Sequence, residues 1–328
     1  MKLHAPIRTL LTTLACAASL AVAATAAAQP YPSKQVKMLV PFPPGGTTDI
    51  MARVISERLQ AALGQPFVVE NRSGAGGVIG TEATAKAAPD GYTLLLSSSA
   101  PLAVGLKLYQ KVPYDVMRDL APVAMVGDVT MVLVAGSAFK AASVKDMIAY
   151  AKANPGRLNL AIPALGSQGH LLTELFRVRT GTSINIIPYK GSAPAVIDLM
   201  SGVVDADFEN LPAVIEQIKG GKLRALAVLS PKRSELLPDT PTFVELGMPE
   251  FVASPWFAIV APAGTPREIV SRLNEEINKI LASPATRAVF AKQGANPVIA
   301  TPEETGRFFR EEIEKWARIV AETGAKLQ

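Results

Sequence analysis

The sequence predicts an α/β protein built as two doubly wound α/β lobes around a ligand cleft, and three observations predict it. Short apolar runs alternate with segments whose apolar residues recur at helical spacing, the rhythm of βα units on a mostly parallel sheet. The turns between them place glycine, proline and hydroxyl residues where strand gives way to helix. Two irregular passages, one before Val129 and one after Leu229, split the alternation into two blocks, so the chain crosses twice and its C-terminal part returns to the first block. The expected lobes are residues 29–128 with 230–328, and residues 129–229.

Residues 1–28 stand apart. Lys2 and Arg8 precede an apolar run from Leu10 to Ala24, and Ala26-Ala27-Ala28 offers small residues for cleavage, so a signal peptide cut near Ala28 is expected. The run is short and alanine-rich for a membrane anchor. Cys16, the one cysteine of the 328 residues, has Thr13 where a lipoprotein signal wants an aliphatic residue. The mature chain is therefore expected to be exported, without cysteine, lipid or disulfide. Removing Lys2 and Arg8 takes 33 basic residues to 31 against 28 acidic ones, a mild surplus with no basic run. Nucleic acid is not an expected partner.

In chain order, Val36 to Val40 reads as a buried strand. Pro41-Phe42-Pro43-Pro44-Gly45-Gly46-Thr47-Thr48-Asp49 follows, and Ile50, Val54, Ile55, Leu59 and Leu63 then repeat at helical spacing. The prolines keep the turn out of the helix, and the glycines bend it with their N–H groups uncovered. Thr47 or Thr48 is expected to cap the helix. A strand, a bare glycine turn and a helix N-terminus together suit an anion. Gly64-Gln65-Pro66 stops the helix and Phe67 to Glu70 is the next strand. A second glycine-rich turn, Asn71 to Gly80, opens a helix of small residues, Thr81 to Ala88. After the turn Pro89-Asp90-Gly91, a strand from Tyr92 to Leu96 runs into Ser97-Ser98-Ser99. Three strands and two helices make a right-handed parallel βαβαβ unit.

A less regular passage from Pro101 to Pro122 leads to an apolar strand, Val129 to Ala135. Ser143 with Asp146 signals a capped helix ending at Asn154-Pro155-Gly156. The strand Leu158 to Pro163 leads through Leu165-Gly166-Ser167-Gln168-Gly169-His170 into a helix, and Ile184 to Tyr189 leads through Lys190-Gly191-Ser192 into another. Val203 to Phe208 carries Asp205 and Asp207, Glu209-Asn210-Leu211-Pro212 begins a helix, and Leu223 to Leu229 closes the block. Ser230 to Gly247 reads as surface loop and Phe257 to Val260 as a strand. Thr265-Pro266 and the capping box Thr301-Pro302-Glu303-Glu304 start the later helices, the last running from Pro302 to Ala321.

The loops at Gly45, Gly76, Gly169, Gly191 and Asn210 all fall at carboxyl ends of strands, where open α/β sheets bind ligands. They offer amides and hydroxyls, with Arg72 and Lys190 as the formal positive charges. A hydrogen bond to a charged group contributes roughly 1.5–3 kcal/mol and a helix N-terminus about 0.3–1. Four or five such contacts approach the ~8 kcal/mol of a micromolar complex without an arginine clamp. Asp49 is read as a complement to its helix dipole rather than as a ligand contact. Asp207 is either a buried, hydrogen-bonded strut or a partner for a ligand ammonium, a hydroxyl or an ordering water. His170, the one histidine left after processing, either donates to an anion or caps its loop. No glycine loop carries a Walker lysine, Gly74-x-Gly76 misses the dinucleotide spacing, and the loop at Ser167 lacks the first glycine of a nucleophile elbow. No cluster has metal-ligand spacing. Binding is expected rather than catalysis, with no cofactor and no metal. An exported hydrolase using Ser167 and His170 is the competing class.

The motifs at 41–49, Val69-Glu70-Asn71-Arg72-x-Gly74-Ala75-Gly76-Gly77, Pro89-Asp90-Gly91-Tyr92-Thr93-Leu94, Pro188-Tyr189-Lys190-Gly191 and Gly166-Ser167-x-Gly169-His170 resemble the Bug family, extracytoplasmic solute receptors of tripartite tricarboxylate transporters. The resemblance spans essentially the whole mature chain. It implies a type II periplasmic binding protein-like fold that closes on a small carboxylate, a periplasmic location, and a two-subunit membrane permease as partner. A receptor of the same fold that feeds a sensor kinase is the alternative. The resemblance places Phe42, Gly45, Gly46, Thr47 and Thr48 of the first loop against the ligand. From the second loop and third strand it adds Ala75, Gly76 and Ser98. From the other lobe it adds Ser167, Gly169, His170, Lys190 and Asp207. The paired hydroxyls of Thr47 and Thr48 depart from a loop that varies with ligand in that family.

Overall fold

The computed structural model describes residues 31–108 and 111–323; the expected signal peptide and its cleavage near Ala28 lie outside the described residues. Strand β1 (Val36–Val40) leads through the first glycine turn into α1 (Thr47–Leu63), then β2 (Phe67–Asn71), α2 (Val78–Ala85) and β3 (Thr93–Ser98). β1 pairs in parallel with both β2 and β3, so the predicted βαβαβ unit forms. β4 (Leu120–Val129) belongs to the same sheet, and β5 (Met131–Gly136) starts the second. The apolar sequence from 121 to 135 reads as irregular chain followed by one strand. It is in fact two strands that change sheet at Thr130.

The second block continues with α3 (Val144–Ala153), β6 (Leu158–Ile162), α4 (Gln168–Thr180), β7 (Ile184–Pro188), α5 (Ser192–Ser201), β8 (Ala206–Asn210), α6 (Leu211–Lys219) and β9 (Leu223–Val228). The chain then forms β10 (Trp256–Pro262), α7 (Arg267–Ala282), α8 (Pro284–Lys292), β11 (Ala295–Pro297) and α9 (Pro302–Thr323). The first sheet has the order β11-β4-β10-β3-β1-β2 and the second β7-β6-β8-β5-β9. Both share one plan: three parallel strands, an antiparallel fourth and a fifth that reverses again. The inner strands β5 and β10 are apolar and buried along their whole length because helices cover both faces of their sheets.

One core face of the second sheet is aromatic. Phe176, Phe208, Phe243 and Phe251 are fully buried together, with the Phe243 and Phe251 rings stacked at 4.7 Å. Phe243 comes from the polar passage, Ser230 to Gly247, expected to be surface loop, and Phe251 from just beyond it; both seal this sheet. The two crossings lie side by side, the Val129 amide donating to the Pro255 carbonyl at 3.0 Å; the Thr130 amide donates to the Gly294 carbonyl, ahead of β11, at 3.1 Å. Among the described residues no helix is long and apolar enough to cross a membrane.

Candidate functional site

The first loop is held in shape from within. Asp49, almost wholly buried, accepts the Gly45 amide at 3.0 Å, two Arg53 guanidinium N–H groups at 2.9 and 3.0 Å, and Asn71 Nδ2 at 2.9 Å. Asn71 also donates to the Phe42 carbonyl at 3.0 Å, tying β2 to the turn. Burial alone would raise the Asp49 pKa; the bonds from Arg53, Gly45 and Asn71 outweigh it and hold the carboxyl below the usual range. Asp49 thus has a structural role in this turn, with both carboxylate oxygens engaged by the protein itself.

Thr47 and Thr48 do not cap α1. Gly46 is its N-cap, in an extended conformation, and no side chain bonds the first-turn amides. The threonines sit inside the first turn, both buried, and Thr47 Oγ1 has no hydrogen-bond partner in the protein. The second loop is strained where it turns. Ala75 adopts φ 46°, a left-handed conformation that non-glycine residues avoid, and Gly76 and Gly77 continue it at 62° and 97°. α2 begins three residues earlier than its spacing suggests, because this coil supplies its entry. A Cβ on Gly77 would lie 3.2 Å from Phe42 Cζ and 3.0 Å from Pro101, so the first loop, the second loop and the end of β3 at Ser98 converge.

From the second sheet, Ser167 caps α4 by accepting the His170 amide at 3.1 Å. His170 Nδ1 accepts the Gly166 amide at 3.3 Å, which fixes the neutral tautomer with its proton on Nε2. Burial lowers the imidazole pKa, against a weaker opposing pull from Glu174. Gly169 packs where a Cβ would stand 2.6 Å from the Phe208 carbonyl, so the α4 start is pressed onto β8. Lys190 is exposed, and Gly191 is the uncapped N-cap of α5.

Asp207 lies on β8, opposite Val134 and Ala161, with no exposed surface and no partner for either carboxylate oxygen. The hydrogen-bonded strut is thus not what forms. Two residues on, and on the same face, Glu209 is equally buried. One of its oxygens accepts the Asn210 amide at 2.6 Å and the other has no partner. Burial, then the charge of Glu209, push Asp207 well above the usual carboxylate range. Burial also lifts Glu209 to about 7, against pulls from the Asn210 amide and the Ser192 hydroxyl. The sequence places Glu209 at a helix start, and the alternation Asp205, Asp207, Glu209 is its signal for a shared face.

The two sheets meet through their loops. A Cβ on Gly46 would contact Ser192 Cβ at 3.6 Å, one on Gly45 would contact Ala193 Cβ at 3.6 Å, and one on Gly191 would stand 2.6 Å from Pro43 Cδ. The uncapped N-termini of α1 and α5 thus face each other across the gap. Away from the gap, α3 and α8 are capped by Ser143 and Ser283 and α9 by the Thr301–Glu304 box, and α7 has no side-chain cap. α1, α2, α5 and α6, which open after parallel strands or β8, have no side-chain cap, while α4, which also opens after a parallel strand, is capped by Ser167. Among the described residues, five of the seven that carry buried, unpartnered side-chain atoms (Thr47, Ser97, Gln168, Asp207 and Glu209) stand at these same strand and helix ends. Uncapped amides and unsatisfied polar atoms at these strand and helix ends are groups that a polar guest can complete.

A groove of about 1210 Å³ also separates α4 from α9, lined by Leu171, Leu175, Trp256, Phe308 and Trp316. Of the expected contact residues only His170 lines it; the first loop, the second loop, Ser98, Lys190 and Asp207 do not.

Two α/β lobes joined by paired crossings, with helix N-termini opposed across the gap, define a periplasmic-type solute-binding receptor. The chain belongs to the tripartite tricarboxylate transporter receptor family, whose model matches residues 51–325. It is 60% identical to Protein BugT of Bordetella pertussis over 95% of this chain and 96% of that one. Its fold matches R. palustris Rpa4515 with adipate at TM-score 0.87 and 39% identity, covering 90% of this chain and 98% of that one. It matches the periplasmic binding protein BugD at TM-score 0.87 and 35% identity, covering 91% of this chain and all of that one.

Proposed function

We propose that this chain captures a small organic carboxylate between its lobes, outside the cytoplasm after loss of its signal peptide, and delivers it to a two-subunit membrane permease. The observation that carries the reading is the opposition of the uncapped α1 and α5 N-termini at Gly46 and Ser192. Family membership and the adipate held by Rpa4515 support it. The ligand lies against Phe42, Gly45, Gly46, Thr47 and Thr48, against Ala75, Gly76 and Ser98, and against Ser167, Gly169, His170, Lys190 and Asp207. The lobes are residues 34–128 with 255–323, and 129–254. The passage from 230 to 254 is given to the second lobe, rather than to the first at 230, because Phe243 and Phe251 sit in its core. Catalysis has no support in the arrangement of Ser167, whose hydroxyl accepts the His170 backbone amide while the imidazole Nδ1 is engaged by Gly166.

The test is a thermal-shift and calorimetric titration of the mature chain with adipate and with shorter mono-, di- and tricarboxylates. A ligand at a hundred times its Kd stabilises the closed form by about 2.7 kcal/mol. Saturable stabilisation by at least one acid is expected, and none by any would overturn the reading.

A further inference from the structure

A helix lying on a sheet needs one apolar stripe, and α4 has two. Leu172 and Phe176 enter the core of the second sheet. Leu171, Leu175 and Val178 form another stripe along the groove toward α9, and Val178 is 68% exposed. On the other wall Glu304, Phe308, Glu312 and Trp316 recur every four residues on one face of α9. Trp256 also lines the groove, almost wholly buried, with its ring 5.2 Å from that of Phe308. Its indole N–H and that of Trp316 both donate to Glu312 Oε2, at 2.9 and 3.0 Å, and Lys315 Nζ donates to Oε1 at 2.9 Å. Burial would raise the Glu312 pKa; these bonds outweigh it and hold the carboxyl below its usual range.

The charge of the groove does not balance. Among the described residues five acids and three basic side chains line it, and His170 is neutral. Each basic group has an acid: Arg177 pairs with Glu174, Arg179 with Glu250 and Lys315 with Glu312. Asp128 and Glu304 are bonded instead by neutral donors, Asn296 Nδ2 and the Thr301 amide. Asp128 stands opposite Trp256 in the β4–β10 pairing, and Glu304 lies one turn before Phe308, so the surplus negative charge flanks the rings. Lys315 already shows how the groove takes an ammonium: its Nζ is bonded to Glu312 and sits 5.3 Å from the centre of the Trp316 ring.

We propose that this groove is a second ligand site, separate from the gap between the α1 and α5 N-termini, and that it takes a small organic cation with an apolar body. The volume of about 1210 Å³ has room for an aryl- or alkylammonium. The apolar body covers the Leu171, Leu175 and Val178 stripe and removes it from water. The positive head lies among the Trp256, Phe308 and Trp316 rings, whose faces attract cations, and balances Asp128 and Glu304. A neutral molecule gains the first contact alone, and an anion meets two surplus carboxylates. Carboxylate capture at the gap neither requires this site nor is required by it.

The chain has two tryptophans, Trp256 and Trp316, and both line the groove, so tryptophan emission reads its occupancy directly. The experiment titrates the mature chain with two probes of one shape, 4-phenylbutylammonium and 4-phenylbutan-1-ol, by emission and by calorimetry. The cation is expected to saturate and to bind about fivefold or more tighter than the alcohol. About 0.5 M sodium chloride is expected to shrink that advantage, since the surplus acids lie near the surface. Two variants move it in opposite directions. Glu304→Gln keeps the capping box yet removes a charge, and is expected to weaken the cation about twofold or more while leaving the alcohol unchanged. Lys315→Met removes the built-in ammonium from the Trp316 ring and is expected to tighten the cation. Both positions are exposed, so the fold is retained. Equal binding of the two probes, no emission change with either, or a cation preference untouched by both variants would overturn the proposal. So would sedimentation of the chain as a dimer that Trp316→Glu dissociates, which would give the groove to a second copy. None of these results bears on titration with adipate, which tests the gap alone.

Discussion

Asp49 and Asp207 are both buried aspartates at the gap-facing ends of their lobes, yet their surroundings are opposite. Asp49 takes four hydrogen bonds from Gly45, Arg53 and Asn71. Asp207 takes none, and its nearest charged companion is another acid. The first is an architectural acid: it fixes the turn so that the amides after Gly46 stay uncapped and face outward. The second is held in a place where the protein offers it nothing. A folded chain keeps such a group when something else completes it. The contrast separates residues that build the site from residues that meet its contents.

The largest expected effect comes from breaking the satisfied acid. Asp49→Ala leaves the Gly45 amide and Asn71 without their acceptor and removes the partner of Arg53. Arg53 is half exposed and regains water, so the loss falls below that of a fully buried pair, at about 2–4 kcal/mol. Urea denaturation of the unliganded chain measures it as a lower midpoint. A loss under about 0.5 kcal/mol, the range of an ordinary surface change, would place Asp49 among the ligand contacts instead.

Asp207→Asn should move the other way, and its effect should depend on pH. The folded-state pKa of Asp207 and Glu209 is raised, so the folded chain holds protons that the unfolded chain has released. Stability is then fully present below the unfolded values near 4 and falls as pH climbs toward about 7, where Glu209 titrates. His170 has a lowered pKa and acts in the opposite sense, losing stability as pH drops below its unfolded value near 6.5. The variant-minus-wild-type difference removes the His170 contribution. That difference should grow from pH 5 to pH 8 and reach on the order of 1–3 kcal/mol in favour of the variant. A flat difference would mean the pair is satisfied in the native state.

How much of this contrast is legible in the sequence depends on the distance over which each residue is determined. The turn at 41–49 is mostly local: proline, glycine and the following helical spacing specify its shape, and Asp49 bonds to Gly45 and Arg53 four positions to either side, with Asn71 the one partner from further along the chain. The βαβαβ unit and the second block's alternation are legible for the same reason. The β4–β5 boundary is not, because an unbroken apolar stretch carries no mark of the residue at which it changes sheet. Phe243 and Phe251 are likewise hidden. They sit among prolines and charges, and their burial is decided by Phe176 and Phe208, remote in the chain. Asp207 stands out in an apolar strand, but its lack of partners is a three-dimensional fact. Glu209 is masked by the helix signal Leu211-Pro212 that follows it.

Gly46 has φ −84°, a conformation open to any residue, so Gly46→Leu adds a side chain without backbone strain. That side chain would project toward Ser192 and hold the α1 and α5 N-termini apart. Affinity for the carboxylate should fall about tenfold or more, ~1.4 kcal/mol, while unfolding of the unliganded chain shifts by less than about 1 kcal/mol. Small-angle scattering with saturating ligand should show a more open particle than wild type. Unchanged affinity would place the ligand away from this junction.

The smallest expected effect belongs to Ser167, at the one helix opening onto the gap that has a side-chain cap. Its hydroxyl accepts the His170 amide, so Ser167→Ala frees that amide and weakens the start of α4 by about 1 kcal/mol. Two readings of the residue then part. If the hydroxyl is a cap, the loss appears in unfolding and carboxylate affinity changes little. If the hydroxyl is itself a ligand donor, affinity falls by more than stability does. If Ser167 were a nucleophile, ester turnover present in the wild type would vanish in the variant. His170 argues for the first outcome, because its Nδ1 is engaged by Gly166 and it meets Ser167 through its backbone amide rather than through its ring.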